Sequence, residues 1–449
     1  MSGFSAEFSG NLRTAGVVGA GGAGFPSYVK AQGKAEVALV NAAECEPLLK
    51  KDQKILEHWP EKVFDGLELL MRASGAAKGV LGIKRKHEKI IPRLKEIAKS
   101  RRGVSVLEMG DYYPAGDEQC LVYEATGRVV PPGGIPLDVG CVVSNVETLY
   151  NAAFAPRPVT ETFVTVNGGV KKPATFRAPV GATWRECVEH FCGGFTVKDP
   201  AYIDGGPMMG KVRTDFDLPL VKASGGIIVL PKDHPLIVKK AQGRPTFTRI
   251  GRSACDQCSY CTEFCPRYLL GHNVQPHRVM RTMLFSSGTE GHKLNSRYGL
   301  LCCECSLCSL YSCPEGLNPR EACVAAKADL REAKIGFKNS GLDTGRKPEV
   351  HPVREFRKVP VSKLVRRLGL EDYNKDAPWT DETYRPSKVR ILMAQHIGMP
   401  CLPAVKEGQR VEKGAVVGDV PADKLGCPVH ASIAGTVGRV NERYVEIIA

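Results

Sequence analysis

The chain has 449 residues, 43% hydrophobic and 24% charged, ordinary globular values at a length that implies roughly three domains. No stretch approaches the roughly 20 apolar residues of a membrane span, and the N-terminus MSGFSAEFSGNLRTAG lacks an export signal's basic and apolar segments, so a soluble protein of the reducing cytosol is expected. Seventeen cysteines would suit a disulfide scaffold only in a small secreted chain; the net charge of +14 would suit nucleic acid only with interleaved aromatics, and Lys84-Arg85-Lys86 and Arg366-Arg367, which lack them, are expected as solvated helix faces.

Residues 12–155 alternate short apolar runs with helical segments. EVALVN, an amphipathic 60–73, GVLGIKR, a basic helix over 87–101 and VSVLEMG predict an α/β layer fold with parallel strands. Gly19-Ala20-Gly21-Gly22-Ala23-Gly24 satisfies G-x-G-x-x-G, and Glu44 stands twenty residues beyond it. Alone this would suggest a Rossmann dinucleotide site. Phe25-Pro26 follows at once, however, and the acid lies in the polar loop NAAECEP. The glycines are therefore expected to bring backbone N–H groups against a phosphate at a helix start.

Residues 160–232 hold two β-rich segments joined by Gly-Gly, then a helix opening near Thr183 with Glu186 at capping-box spacing, then the apolar GGIIVLP. A small mixed sheet packing one helix, of the β-grasp type, is expected. Ser144 and Glu147 in SNVETLY have the same capping-box spacing.

Cys255-x2-Cys258-x2-Cys261-x3-Cys265-Pro266 and Cys302-x2-Cys305-x2-Cys308-x4-Cys313-Pro314 repeat with a 47-residue offset. Structural zinc prefers pairs of C-x2-C. Triplets suit cubanes, because two-residue spacers let a tight loop aim three thiolates inward while a fourth comes from elsewhere. Two 4Fe–4S clusters are expected, and hence an electron conductor. The second run has one extra residue before Cys313, for which a local bulge or a shifted cluster potential is expected. Cys303 is an alternative to Cys302, though the register with Cys305 and Cys308 favours Cys302. The remaining cysteines are expected as small buried residues. Segment 336–388 reads as a linker that straps domains together, with one helix in VSKLVRRLGLEDY, and 389–449 as a small β-sandwich.

The cysteine runs resemble those of two-cluster bacterial ferredoxins. That resemblance implies crossed ligation, with Cys255, Cys258, Cys261 and Cys313 on one cluster and Cys302, Cys305, Cys308 and Cys265 on the other. GAGGAGFPSYVK, VNAAECEP, YYPAGDEQ and SNVETLY, in that order, resemble the FMN-binding sequence of the complex I flavoprotein subunit and, more closely, RnfC. CPVHASIAGTV, the barrel-sandwich signature, stands at the C-terminus rather than the N-terminus of RnfC. That order resembles the PduS-type cobalamin reductases of bacterial microcompartments.

The resemblance implies an α/β multidomain chain. It would comprise an FMN- and NADH-binding Rossmann-like domain (1–157), an SLBB-like β-grasp domain (158–235), a ferredoxin-type two-cluster helical domain (245–335), the linker (336–388) and a barrel-sandwich hybrid (389–449), lipoyl-like with Lys424 unmodified. It implies FMN held by Gly19, Gly21, Gly22, Lys30, Asn41, Glu44, Tyr113, Gly116, Glu118, Asn145 and Thr148, with no catalytic residues beyond the cofactors. Ala31 and Ala43 stand where the complex I subunit has Trp and Asp, which leaves room for a differently shaped nicotinamide pocket or for electron input from another donor. The implied activity is an NADH-dependent oxidoreductase passing single electrons to cobalamin, a cobalamin-dependent enzyme or another redox protein. The resemblance further implies the cytoplasm as the place, either free or within a microcompartment, where shell proteins would be partners. Nucleic acid and membrane spans are not expected. An RnfC-like NADH/ferredoxin subunit and a non-catalytic microcompartment adaptor are the other readings.

Overall fold

The computed structural model describes residues 3–285, 294–343 and 345–449. The N-terminal layer is a four-stranded all-parallel sheet in the order β3-β2-β1-β5, with β1 Val37–Ala42, β2 Lys78–Lys84, β3 Val104–Met109 and β5 Cys141–Asn145. Alternate residues of β1 enter different cores. Ala38 and Val40 pack under the helices Pro60–Ser74 and Val146–Ala153, while Val37 and Leu39 face the helix Glu118–Thr126. A parallel strand covered on both faces must read as apolar throughout, as VALVNA does.

The basic helix runs over Ile91–Lys99, shorter than 87–101, because Pro92 suits only its first turn. The expectation for Lys84-Arg85-Lys86 is corrected. Lys84 ends β2 with no exposed surface, its Nζ 3.2 Å from Asp111 Oδ1, and only Arg85 and Lys86 reach solvent.

β6 Glu161–Gly168, β7 Ala174–Pro179, β8 Pro200–Asp204, β9 Lys211–Arg213 and β10 Gly226–Pro231 form a mixed sheet in the order β7-β6-β10-β8-β9, in which only β6 and β10 are parallel. The helix Trp184–Cys192 packs on it, and the Thr183–Glu186 capping box is formed. The Ser144–Glu147 box is not. Asn145 caps Val146–Ala153 by accepting from Glu147 N, and the Glu147 side chain turns inward to Lys51.

Helices Arg244–Ala254, Pro276–Phe285 and Pro319–Glu332 carry the cysteine loops. The segment after them is built into the protein at several points. β11 Val359–Pro360 pairs with β4 Tyr112–Tyr113, Asn167 Nδ2 donates to Lys375 O, and Trp379 packs edge-on against Trp59 at 5.0 Å. The C-terminal β-sandwich consists of a four-stranded and a three-stranded sheet around Val389, Ile391, Val417 and Val445. Lys424 lies exposed in it beside Asp423. No helix among the described residues is long and apolar enough to cross a membrane.

Candidate functional site

The crevice lies at the C-terminal edge of the parallel sheet, where open α/β sheets take ligands. Asn41 and Asn145 are register partners on β1 and β5. Asn41 Nδ2 donates to Gly116 O at 2.7 Å, and a Cβ on Gly116 would lie 3.1 Å from Cys45 Sγ, so the backbone passes close at that point.

The glycine loop is closed by Gly19 N–H donating to Phe25 O and Gly24 N–H to Gly19 O. Ala20 is held at both ends, its N–H donating to Thr148 Oγ1 and its carbonyl accepting from Lys51 Nζ. Gly21, Gly22 and Ala23 are exposed, and among the described residues their N–H groups have no hydrogen-bond partner. Gly22 has φ 101°, a left-handed value that a side chain would strain. Free amides on a pinned loop fit an anion such as the flavin phosphate.

Lys30 Nζ donates to Val143 O at 2.9 Å; burial pushes its pKa down, and Glu118, at the start of the helix Glu118–Thr126, offsets part of this. Glu44 faces the helix Lys51–His58, accepting from Asp52 N and Gln53 N, and also borders a cavity of about 160 Å³ shared with His87, Ser362 and Asn374. The expected flavin-site residues other than Tyr113 lie around the crevice or its loop, whereas Tyr113 reaches out of it. Its buried hydroxyl donates to Cys305 O at 2.7 Å, across to the cysteine domain.

The two cysteine loops share a backbone. Gln257 and Ser259 in the first, and Glu304 and Ser306 in the second, all have φ between 57° and 67°. The 47-residue offset thus recurs as a pattern of left-handed turns, which aim successive thiols to one side. The extra residue of the second run is absorbed by a π turn over Cys308–Ser312, closed by Cys313 N–H donating to Cys308 O. A π turn is the form one inserted residue takes in a helix.

Cys255, Cys258, Cys261 and Cys313 line one cavity of about 30 Å³. Burial first, then Cys313, Cys258 and Cys255, push the Cys261 thiol up to about 12. Cys265 is likewise pushed up, by burial and then by Cys303 and Cys302. Crowded buried thiols lose their protons only to a cation that replaces them. Four thiols around one cavity are the donor set a 4Fe–4S cluster takes. Of the two possible partners in the second loop, Cys302 Sγ accepts from Glu304 N, while Cys303 lies beside Cys305 and Arg267.

Three groups escaped sequence reasoning. Lys51 joins Ala20 O to Glu147 Oε2 at 2.6 Å, Asp52 accepts from Asn145 Nδ2 at 2.7 Å, and Arg267 pairs with Asp117 at 2.8 Å across the domain boundary. The KKD run carries no spacing signal; only its position just after the acid loop hinted at a role. The C-terminal sandwich also reaches the loop, for Ile397 N–H donates to Gly24 O, and buried Lys222 bonds Gly16 O and Pro428 O.

Family models match the chain at four places. Residues 12–153 match the Nuo51 FMN-binding domain, 163–212 the SLBB domain, 254–318 a 4Fe-4S dicluster domain, and 374–448 the RnfC barrel sandwich hybrid domain. Cobalamin reductase PduS of Citrobacter freundii is 40% identical over 97% of this chain and 95% of its own length. The Salmonella typhimurium protein of that name is 40% identical over 98% and 96%. A component of the proton-translocating ferredoxin:NAD(+) oxidoreductase complex of Clostridium ljungdahlii is 35% identical over 59% and 56%.

Proposed function

This chain belongs to the family of the PduS cobalamin reductases, and from that premise we propose that it takes hydride from NADH in the crevice and delivers single electrons to cobalamin. It is an oxidoreductase with an FMN-binding domain and a 4Fe–4S dicluster domain. Bound flavin supplies the conversion of one hydride into two single electrons. The chain's residues hold and orient the cofactors. Gly21, Gly22 and Ala23 offer amides to the phosphate, and Lys30, Asn41, Gly116, Glu118 and Asn145 wall the ring, while the cavity beside Glu44 gives the donor its approach.

The observation that carries a direction is the bond from Tyr113 to Cys305 O. It sets the second cysteine loop against the flavin domain, whereas Cys258 of the first loop is exposed. In this reading Cys265, Cys302, Cys305 and Cys308 hold the cluster nearer the flavin. Cys255, Cys258, Cys261 and Cys313 hold the outer one, which meets cobalamin or a cobalamin-dependent enzyme. A place in a bacterial microcompartment, with shell proteins nearby, belongs to the same reading.

Anaerobically purified protein tests it. NADH should bleach the flavin absorbance, and cob(II)alamin should then be reduced faster than by a flavin-free control. Bleaching followed by reduction of ferredoxin alone would favour an RnfC-like role, and protein without flavin bands would leave only an adaptor.

A further inference from the structure

Asp52 occupies the second position of the helix Lys51–His58 and is 6% exposed. Its Oδ2 accepts from Asn145 Nδ2, and the Asn145 side chain lies 3.5 Å from where a Cβ on Gly21 would stand, so the carboxyl sits one hydrogen bond behind the phosphate loop. Its Oδ1 is buried and has no hydrogen-bond partner. Such an orphan is costly unless something else pairs with it.

The surroundings decide its charge. Glu44 faces Asp52 and accepts two N–H bonds from the helix start, where a negative charge is favoured. Glu147 is a second carboxylate nearby, and Lys51 spends its ammonium on Glu147 and Ala20 O rather than on Asp52. Lys50 is the remaining cation near the pair. Two adjacent buried carboxyls do not both ionise readily; burial pushes Glu44 up as well, but its two backbone donors offset part of this, and Asp52 is the one without backbone donors. Burial, and then the charge of Glu44, push it up to about 8. With Oδ2 accepting, the proton belongs on Oδ1, where the chain supplies no acceptor.

We propose that Asp52 is a further residue of the flavin site, a carboxyl that keeps its proton and donates it in a hydrogen bond to bound FMN. The proposal rests on the flavin occupying this crevice. The sign follows from linkage. Binding favours the protonated form, so affinity is complete below the titration of the free protein and falls as pH rises through it.

The test is the FMN dissociation constant of the cluster-loaded protein between pH 6 and pH 9.5, followed by flavin fluorescence. Wild type should bind about tenfold more weakly at pH 9 than at pH 6, as a group titrating near 8 requires. Asp52→Asn, which keeps a donor, should bind as wild type does at pH 6 and lose this dependence. Asp52→Ala should bind at least tenfold more weakly at pH 6, and Glu44→Gln should move the alkaline fall to lower pH. An Asn variant that titrates like wild type, or an Ala variant of wild-type affinity, would overturn the proposal with the flavin reading intact. Wild-type protein that takes up no FMN at any pH would overturn both.

Discussion

The two cysteine loops are built alike and placed differently. Both use left-handed residues at equivalent positions, and each run ends on a cysteine followed by proline. The second loop lies against the flavin domain, with Cys305 and Cys308 buried and Leu307 and Leu310 in one core with Tyr113; the end of the first run touches that domain too, where Arg267 pairs with Asp117. The first reaches the surface at its start, where Cys258 is exposed and Tyr260 is 45% accessible, while Cys261 and Cys265 are buried. In the proposed function, a repeat that makes two cluster sites acquires a direction from its surroundings: electrons would enter where a loop touches the flavin domain and leave where one touches solvent.

Removing a ligand from each side separates the two most strongly. Cys308→Ser should abolish cobalamin reduction while NADH still bleaches the flavin. Cys258→Ser should lower iron content by about half and leave the inner cluster reducible by NADH in EPR spectra. Equal EPR losses in the two variants would erase the direction.

Breaking the buried contact comes next. Arg267→Met leaves Asp117 without its cation and should cost about 3 kcal/mol in denaturant unfolding, whereas Arg366→Met, whose side chain is 81% exposed, should cost under about 0.5 kcal/mol.

The π turn can be tested by deleting Tyr311, which restores three residues before Cys313. The shortened turn should pull Cys313 out of the first cavity and lower the iron of the outer cluster, read by EPR, with the inner cluster retained. The smallest effect belongs to Tyr113→Phe. It loses one hydrogen bond, about 1 kcal/mol, and should slow flavin-to-cluster transfer in stopped flow without changing iron content.

Much of this was legible because it is local. The parallel sheet announced itself through apolar runs such as VALVNA, the capping box at Thr183 through its spacing, and the π turn through one extra residue before Cys313. Lys84 was misjudged because a basic triplet looks solvated until the strand end that swallows it is known. Ser144 and Glu147 had capping-box spacing, yet the buried ammonium of Lys51 competed for the Glu147 carboxylate and won.

By itself the sequence determined the chemistry: thiol triplets for iron-sulfur clusters, glycines for a phosphate, and a domain order that points to one family. These follow from spacing, because a few bonds between residues leave the backbone little choice. Only the tertiary structure shows which cysteine loop packs against the flavin domain and which carboxyl is left with an unpartnered oxygen. Tyr113 and Cys305 are 192 residues apart, Asp117 and Arg267 150, and Asn145 and Asp52 93. Burial and pairing over such separations exist only once the domains have docked.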